Sequence, residues 1–286
     1  MENISRTIFA GLVQTNSFLG LGQQYPEKTT LNEKLNIQSN QTPDQTQRSL
    51  MRYYTIGLGG HKNTNGADGI TITKPRQHKA VDGANFKHLP FVLRELSSDL
   101  STAERQKYAL RKIETIQGKS YIAYYAKRIN MDGVRAKMQI HTYESGNLVR
   151  VDDFIPDDSV LNPVPEEVSN TGINVIDGKY AVVSAPIVLS LTRAEIDEIL
   201  NAAKILYGSE DYGIISEIGL VTGVDRAVTA STPGIGNFQF NEVIGAMISH
   251  HLNVLYPLKY VNGQLEIDID VGAQEPMLKL STINMD

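Results

Sequence analysis

Three ionisable residues that could do chemistry lie close together in one loop-like stretch: His78, Asp82 and His88. Histidine and carboxylate side chains bind metals and move protons, and the spacing of His78 and Asp82 suits one face of a helix. Pro75 and Gly83 interrupt that stretch, which shows no helical period. We therefore predict surface or packing histidines and no metal site. A hydrolase or transferase with an active site built from these scattered residues is kept as an alternative.

Two glycine motifs resemble phosphate-binding loops, and neither is complete. Gly118-Lys119-Ser120 matches the end of a P-loop, but that motif requires a glycine where Ile113 stands. Gly57-Leu58-Gly59-Gly60 fails the dinucleotide fingerprint because Lys62 follows where glycine is needed. We predict a hairpin turn at the first motif and close backbone packing at the second.

Composition and missing motifs exclude several further chemistries. The chain has no cysteine, which excludes disulfides, thiolate zinc sites, iron–sulfur clusters and cysteine nucleophiles. It has no nucleophile elbow and no His-Glu-x-x-His helix. The acidic residues of 152–158 lack the interleaved order of a calcium loop, and His250-His251 suits structural histidines near a helix end. We predict a protein that is not an enzyme and that holds no metal or cofactor.

Three amphipathic helices are predicted from caps and periodicity. A capping box at Ser101 predicts a helix over about 102–111. A second capping box at Thr192 predicts a helix that begins there and ends at Gly208. The third helix is predicted over about 241–252, where apolar residues recur at helical spacing.

Strands are predicted in the runs that are rich in aromatic and β-branched residues. The Asp177-Gly178 and Asn262-Gly263 turn signals indicate hairpins, and the second precedes apolar residues that alternate with acidic ones. The main predicted strand regions are 119–130, 136–151 (with a turn at Ser145-Gly146-Asn147), 173–189, 212–221 and 265–271. The predicted fold class is α+β, with mixed or antiparallel β-sheets, about three amphipathic helices and an extended N-terminal arm.

Charge divides the chain more sharply than its net value of −5 suggests. Residues 51–150 carry 17 Lys+Arg against 8 Asp+Glu, whereas residues 151–286 carry 6 against 20. The sign changes at an acidic, proline-containing stretch, which is typical of a linker. We therefore predict an arm at 1–50, a basic half at 51–151, a linker at 152–172 and an acidic half at 173–286.

The predicted arm is polar over residues 22–50, which are rich in Gln, Asn, Thr and Ser. Such a segment buries too little apolar surface to order by itself, so it is either disordered or ordered against a partner. Ile8, Leu12, Phe18 and Leu19 are the predicted anchors of this arm.

The chain shows no sign of a signal peptide and no apolar run of the roughly 18 residues that a membrane helix needs. We expect a protein that is made in a cytoplasm, without contact with a membrane.

Four blocks of the sequence carry a resemblance: YYTIGLGGHK, LPFVLRELSSDLSTAERQKYALRK, YIAYYAKRI and YGIISEIGLVTGVDR. They resemble virion structural proteins of tailed bacteriophages over about residues 51–226. Ser216-Glu217-Ile218-Gly219-Leu220 is similar to a Glu-Ile-Gly-Leu element of phage tail and baseplate attachment domains. The resemblance implies a non-enzymatic subunit of a tail, baseplate or neck, with no catalytic residues. Its location would be the virion, assembled in the host bacterial cytoplasm.

We therefore predict a virion subunit that bonds to copies of itself and to other virion proteins in a ring or wedge of the tail–baseplate apparatus. Basic and acidic surfaces would set the register of such contacts. The residues predicted to pair between copies are Arg105, Arg111 and Lys112 on one side and Asp152, Asp153, Asp157 and Asp158 on the other.

Two alternatives stay open beside the scattered hydrolase site. The first is a neck or head–tail connector protein. The second is a nucleic-acid-binding module that uses the basic and tyrosine-rich region 105–128. The acidic chain, with a pI near 5.7, makes nucleic acid the less favoured partner.

Overall fold

The computed structural model describes residues 3–66, 68–164, 173–232 and 236–280. The chain divides into two compact units. Unit 1 comprises Met1–Ile129 and Ser190–Glu266, and unit 2 comprises Asn130–Leu189 and Ile267–Asp286. This division differs from the arrangement predicted from charge, because each unit takes residues from both the basic and the acidic half. The charge split along the sequence is therefore not a split between two bodies.

The described residues form four α-helices and fourteen strands. The helices are α1 (Ile8–Leu19), α2 (Leu31–Leu35), α3 (Thr102–Arg105) and α4 (Arg193–Tyr207). The strands are β1 (Asn3–Arg6), β2 (Leu50–Gly57), β3 (His61–Asn65), β4 (Thr71–Pro75), β5 (His88–Leu89), β6 (Val92–Glu95), β7 (Tyr108–Ile116), β8 (Lys119–Arg128), β9 (Lys137–Glu144), β10 (Asn147–Asp153), β11 (Ile173–Leu191), β12 (Ile214–Thr232), β13 (Gly236–Pro257) and β14 (Leu265–Leu280). None of the described helices has the length and apolar composition that crossing a membrane requires.

Unit 1 is built on a large sheet with the strand order β1-β13-β12-β2-β8-β6. In addition, β5 pairs with β2, and β7 pairs with β8. The strand pairs described for it are antiparallel. β3 and β4 form a separate two-stranded ribbon. The predicted hairpin turn at 118–120 is confirmed, because Gln117 and Gly118 have φ values of 50° and 80° and join β7 to β8.

Unit 2 contains a four-stranded sheet in the order β10-β9-β11-β14. Ser145 and Gly146 have φ values of 50° and 81° and form the turn between β9 and β10, as predicted for that place. The alternation in β14 is also confirmed, since Ile267 and Ile269 are buried and the acidic residues between and beside them are exposed. The α+β class with antiparallel sheets is thus confirmed.

Helix α4 matches its prediction closely. Thr192 and Glu195 form a complete capping box, and Gly208 ends the helix in the left-handed conformation with φ 81°. The buried face contains Ile196, Ile199, Leu200, Ala202 and Ala203. This helix packs against β6 of the unit 1 sheet.

Two other helix predictions are wrong in extent or in kind. The capping box at Ser101 is present, but α3 ends at Arg105 because Tyr108–Ile116 pairs with β8 as a strand. The predicted helix over 241–252 is the middle of strand β13. Almost every residue there is buried. β12 pairs along one edge of this segment and β1 pairs with its last residues along the other. A strand buried on both faces shows no alternation that would distinguish it from a helix.

Both remaining hairpin predictions are also corrected. Asp177-Gly178 does not separate two strands, because β11 runs from Ile173 to Leu191. Asn262-Gly263 does not join paired strands, since β13 pairs with β1 and β12 whereas β14 lies beside β11. Part of the predicted linker, residues 165–172, lies outside the described residues.

The N-terminal segment is folded and is not an extended arm. β1 pairs with β13, and the Thr7 hydroxyl caps α1 while it donates to the backbone carbonyl of Ile248 at 2.7 Å. The Asn32 side chain is buried and exchanges hydrogen bonds with β13, accepting from Ala246 N–H at 2.8 Å and donating to the Val243 carbonyl at 2.9 Å. These few buried groups order a segment whose average composition predicted no structure of its own.

Candidate functional site

The glycine-rich turn after β2 packs directly against Glu217 of β12. Gly57 lies opposite Glu217 in the antiparallel register, and a Cβ on Gly57 would lie 2.5 Å from the Glu217 Oε1. A Cβ on Gly60 would overlap the backbone carbonyl of Ser216. The close backbone packing predicted for residues 57–60 is therefore confirmed.

The Glu217 carboxylate is fully buried and is surrounded by donors. Backbone N–H groups of Gly59, Phe86 and Lys87 each donate to it at 2.9 Å, and His78 Nε2 lies 2.9 Å from it. Burial opposes ionisation, but these hydrogen bonds outweigh burial and hold the pKa of Glu217 below its ordinary value. Glu217 therefore ties the 76–88 loop to the central sheet as a carboxylate.

His78 lies between two carboxylates and between two rings. Its Nδ1 is 3.3 Å from Asp82 Oδ2, and the ring stacks on Phe86 at 3.8 Å and on His251 at 3.7 Å. Burial and the neighbouring His78 lower the pKa of His251 to about 4, so the His251 imidazole is neutral at pH 7. The sequence grouped His78 with Asp82, and the structure adds Glu217 and His251 to them.

This group of Glu217, His78, Asp82 and His251, here called the buried polar cluster, resembles a proton relay but is closed. The side chains of His78 and Glu217 are 2% and 0% exposed. His88, the third residue of the alternative hydrolase site, is half-buried, but both of its ring nitrogens are buried, and burial lowers its pKa to about 4. A substrate atom cannot reach the imidazole without displacing the loop, so the arrangement acts as a clamp in this conformation.

A second buried network surrounds Asp99, whose side chain is 0% exposed. Arg111 Nη2 lies 3.0 Å from Asp99 Oδ2, and the Tyr124 hydroxyl donates to Asp99 Oδ1 at 2.7 Å. Arg105 lies 3.5 Å from the same carboxylate, and its guanidinium stacks 3.7 Å from the centre of the Phe238 ring. Two cations share one buried anion here, and the network anchors α3 and β7.

A third buried carboxylate, Glu242 on β13, holds an irregular backbone position in β7. Leu110 has a left-handed φ of 55° and is skipped in the pairing of β7 with β8, although the register is the same on both sides of it. The Glu242 carboxylate accepts hydrogen bonds from the N–H groups of Leu110, Arg111 and Val243. Burial raises the pKa of Glu242 to about 7 in spite of these hydrogen bonds.

Comparison of the whole sequence with known families decides its relationship. Residues 1–285 match the family DUF7208, which is described as a family of unknown function. The chain belongs to this family. No curated protein and no solved structure shows a significant match to it.

The basic residues predicted to contact neighbouring copies of this DUF7208 chain are mostly internal. Arg105 is 1% exposed, and the Arg111 side chain is 6% exposed. Contact with a neighbour would require both to leave the Asp99 network, so the structure removes them from the candidate contact surface. The helix predicted over about 102–111 is a strand from Tyr108 onward. Lys112 is partly exposed and pairs with Glu114 at 3.0 Å.

The acidic residues predicted to make contacts are at the surface of unit 2. Asp152 and Asp153 lie on β10, where Asp152 pairs with Arg150 at 2.7 Å. Hydrogen bonds from the Ser159 hydroxyl and from the Ser159 N–H, the latter at 2.9 Å, lower the pKa of Asp157. Asp158 is exposed. The predicted acidic surface is therefore available.

The predicted arm anchors lie on α1. Ile8, Phe18 and Leu19 are 61%, 80% and 66% exposed, while Leu12 is partly buried. Of these four residues, Leu12 is half-buried and the other three have exposed apolar side chains.

Sequence reasoning missed Asp99 and Glu242 as structural centres. The usable signal was a single carboxylate next to or within an apolar run, which marks Glu217 in YGIISEIGLV and Glu242 before VIGAMI. A buried charge of this kind requires partners, and the partners come from distant segments that the sequence does not reveal.

Proposed function

We propose that this chain is a structural subunit of a tailed-bacteriophage virion that assembles with copies of itself and with other virion proteins into a ring or wedge of the tail–baseplate apparatus. The phage assignment rests on the sequence resemblance over residues 51–226. The observation that carries the assembly role is the exposed apolar surface of α1.

Helix α1 has no charged side chain, and its sequence is IFAGLVQTNSFL. Ala10 and Asn16 are buried against the sheet, whereas Ile8, Phe18 and Leu19 are mostly exposed. Large apolar side chains that are exposed on a helix without charged residues are typical of a site of interaction. The helix is already fixed by its Thr7 cap and by its contacts with β13, so binding a neighbour costs little ordering entropy.

The alternatives are less well supported by the geometry. The scattered hydrolase site falls on the buried polar cluster, which lacks access for a substrate. The nucleic-acid reading needs free cations, yet Arg105 and Lys127 are buried in ion pairs with Asp99 and Glu195. A neck or head–tail connector would use the same surfaces, so the location within the particle separates it from a baseplate subunit.

The decisive experiment is mass spectrometry and electron microscopy of intact particles from the source. We expect the chain to be present in multiple copies at the tail–baseplate end. Its absence from purified particles would overturn the proposal, and a location at the neck would favour the connector.

A variant tests whether α1 carries the contact. Phe18→Ser with Leu19→Ser should leave folding unchanged, because both side chains are exposed, and should reduce incorporation of the chain into particles. Ile70→Ser is the matched control, since Ile70 is 63% exposed in unit 1 and is not on α1. Equal incorporation of the variant and the control would contradict the role of α1.

A further inference from the structure

Strand β10 has one unpaired edge. It is the end strand of the unit 2 sheet and, among the described strands, it pairs with β9 alone. Leu148, Val149 and Val151 are 48%, 51% and 45% exposed along it. An exposed apolar edge strand offers free N–H and C=O groups to another strand.

The register of β10 shows which backbone groups are free. Phe154 N–H donates to the Met138 carbonyl at 2.9 Å, next to the pair Asp153–Gln139. Hydrogen-bonded pairs alternate along an antiparallel ladder, so residues 150 and 152 also face β9. The N–H and C=O groups of Val151 and Asp153 therefore point outward.

The charges next to Val151 favour one way of pairing β10 with a second β10. A two-fold axis at Val151 places Arg150 of each copy opposite Asp152 of the other. It also lets the outward N–H and C=O groups of the two Val151 residues hydrogen-bond to each other. Axes at 150, 152 or 153 instead place Arg150, Asp152 or Asp153 opposite itself. Like charges that face each other across strands are destabilising, so these registers are disfavoured.

We propose that β10 is the contact surface for a second copy of this chain, paired antiparallel across a two-fold axis at Val151. This inference rests on the proposed function and names one contact of the assembling subunit. The two sheets then form one continuous eight-stranded sheet, and the interface is isologous. Arg150, which already lies 2.7 Å from Asp152 in its own chain, gains a second carboxylate across the interface.

The exposed chain beyond β10 enlarges this contact. Phe154, which is 38% exposed, follows β10 and lies toward the Leu148–Val149 end of the other copy, where the pairing of β10 with β9 shifts register. Seven residues of edge strand bury little surface, so the isolated pair is expected to be weak and to depend on concentration. Further contacts in a multicopy particle reinforce it through high effective concentration.

Disulfide trapping of the full chain tests the geometry directly, because the protein has no cysteine of its own. The backbone pairing brings the two Val151 Cα atoms to about 5.5 Å, within the range of a disulfide. Val151→Cys should give a covalent dimer on mild oxidation. Val183→Cys is the matched control, since Val183 has nearly the same exposure, 46%, on the inner strand β11. Equal yields from the two variants would overturn the proposal.

Charge exchange tests the register without disturbing the fold, since Arg150 and Asp152 are 71% and 43% exposed. Arg150→Asp places an acidic side chain opposite Asp152 at both symmetry-related positions of the interface. In sedimentation measurements, the dissociation constant of the dimer should rise by about tenfold or more. Adding Asp152→Arg restores an attractive pattern and should recover most of the affinity. A chain that is monomeric at all concentrations, or a dimer insensitive to both changes, would refute the register.

The two proposals fail separately. If the chain is found in particles but Val151→Cys forms no specific dimer, the β10 contact is refuted and the virion role stands. If the dimer forms but the chain is absent from particles, the virion role is refuted and the contact stands.

Discussion

Replacing Glu242 by glutamine should change how the stability of unit 1 depends on pH. Glu242 is 1% exposed and accepts hydrogen bonds from three backbone N–H groups, two of which are those of Leu110 and Arg111 in β7. Glutamine has nearly the same shape and keeps one oxygen acceptor. It cannot ionise, so the substitution isolates the effect of the buried charge.

The magnitude follows from the shift in pKa. Burial raises the pKa of Glu242 to about 7 from 4.5. Between these values the folded chain holds a proton that the unfolded chain has lost, so the free energy of unfolding falls as pH rises, and the loss is complete above pH 7. A shift of this size corresponds to about 3 kcal/mol. Relative to the natural protein, Glu242→Gln should therefore gain about 2–3 kcal/mol between pH 5 and pH 8.

Urea unfolding at constant ionic strength, from pH 5 to pH 8, measures this difference. Hydrogen exchange of the Leu110 and Arg111 amides adds a local readout, because their N–H groups bond to Glu242. Glutamine also loses at least one acceptor, which lowers stability by about 1–3 kcal/mol at every pH and does not affect the slope. Glu27→Gln, at an exposed position of unit 1, is the matched control for the loss of one acidic group. A difference that is flat from pH 5 to pH 8 would refute the reasoning.

Two further substitutions test the packing. Gly60→Ala should lower the free energy of unfolding by about 1–3 kcal/mol because its Cβ overlaps the backbone of β12. Gly11→Ala is the control: its Cβ meets open space within α1, so the substitution should be neutral or stabilising. Equal effects of the two substitutions in thermal melts would contradict the role of the turn. Arg105→Ala should lower the free energy of unfolding by about 3–5 kcal/mol, since it leaves part of the buried Asp99 charge uncompensated. The control Lys112→Ala should lower it by less than about 1 kcal/mol. Similar losses for the two variants in chemical denaturation would show that Arg105 is not part of a buried network.

The elements that the sequence predicted well are those specified by local signals. The capping box and apolar face of α4, the Gln117-Gly118 hairpin and the alternation in β14 each depend on residues that are neighbours along the chain. The helix predicted over 241–252 failed because burial on both faces of β13 removed the only periodic signal.

The candidate site followed the same rule. The sequence paired His78 with Asp82, four residues apart, but the carboxylate that fixes His78 is Glu217 on β12. The basic residues near 105–112 formed a surface in the sequence prediction, and the fold turned two of them inward toward Asp99.

By itself, the sequence determined the absence of cysteine chemistry, the class of the fold, the starts of the two helices that have capping boxes and the hairpin turns at Gln117-Gly118 and Ser145-Gly146. These properties depend on composition and on interactions between residues a few positions apart. Only the tertiary structure decided which charges are buried, which edge of the unit 2 sheet is open and where the two units divide. Those properties depend on partners that can lie more than two hundred residues apart, as when the Asn32 side chain donates a hydrogen bond to the Val243 carbonyl, and no local pattern encodes such pairings.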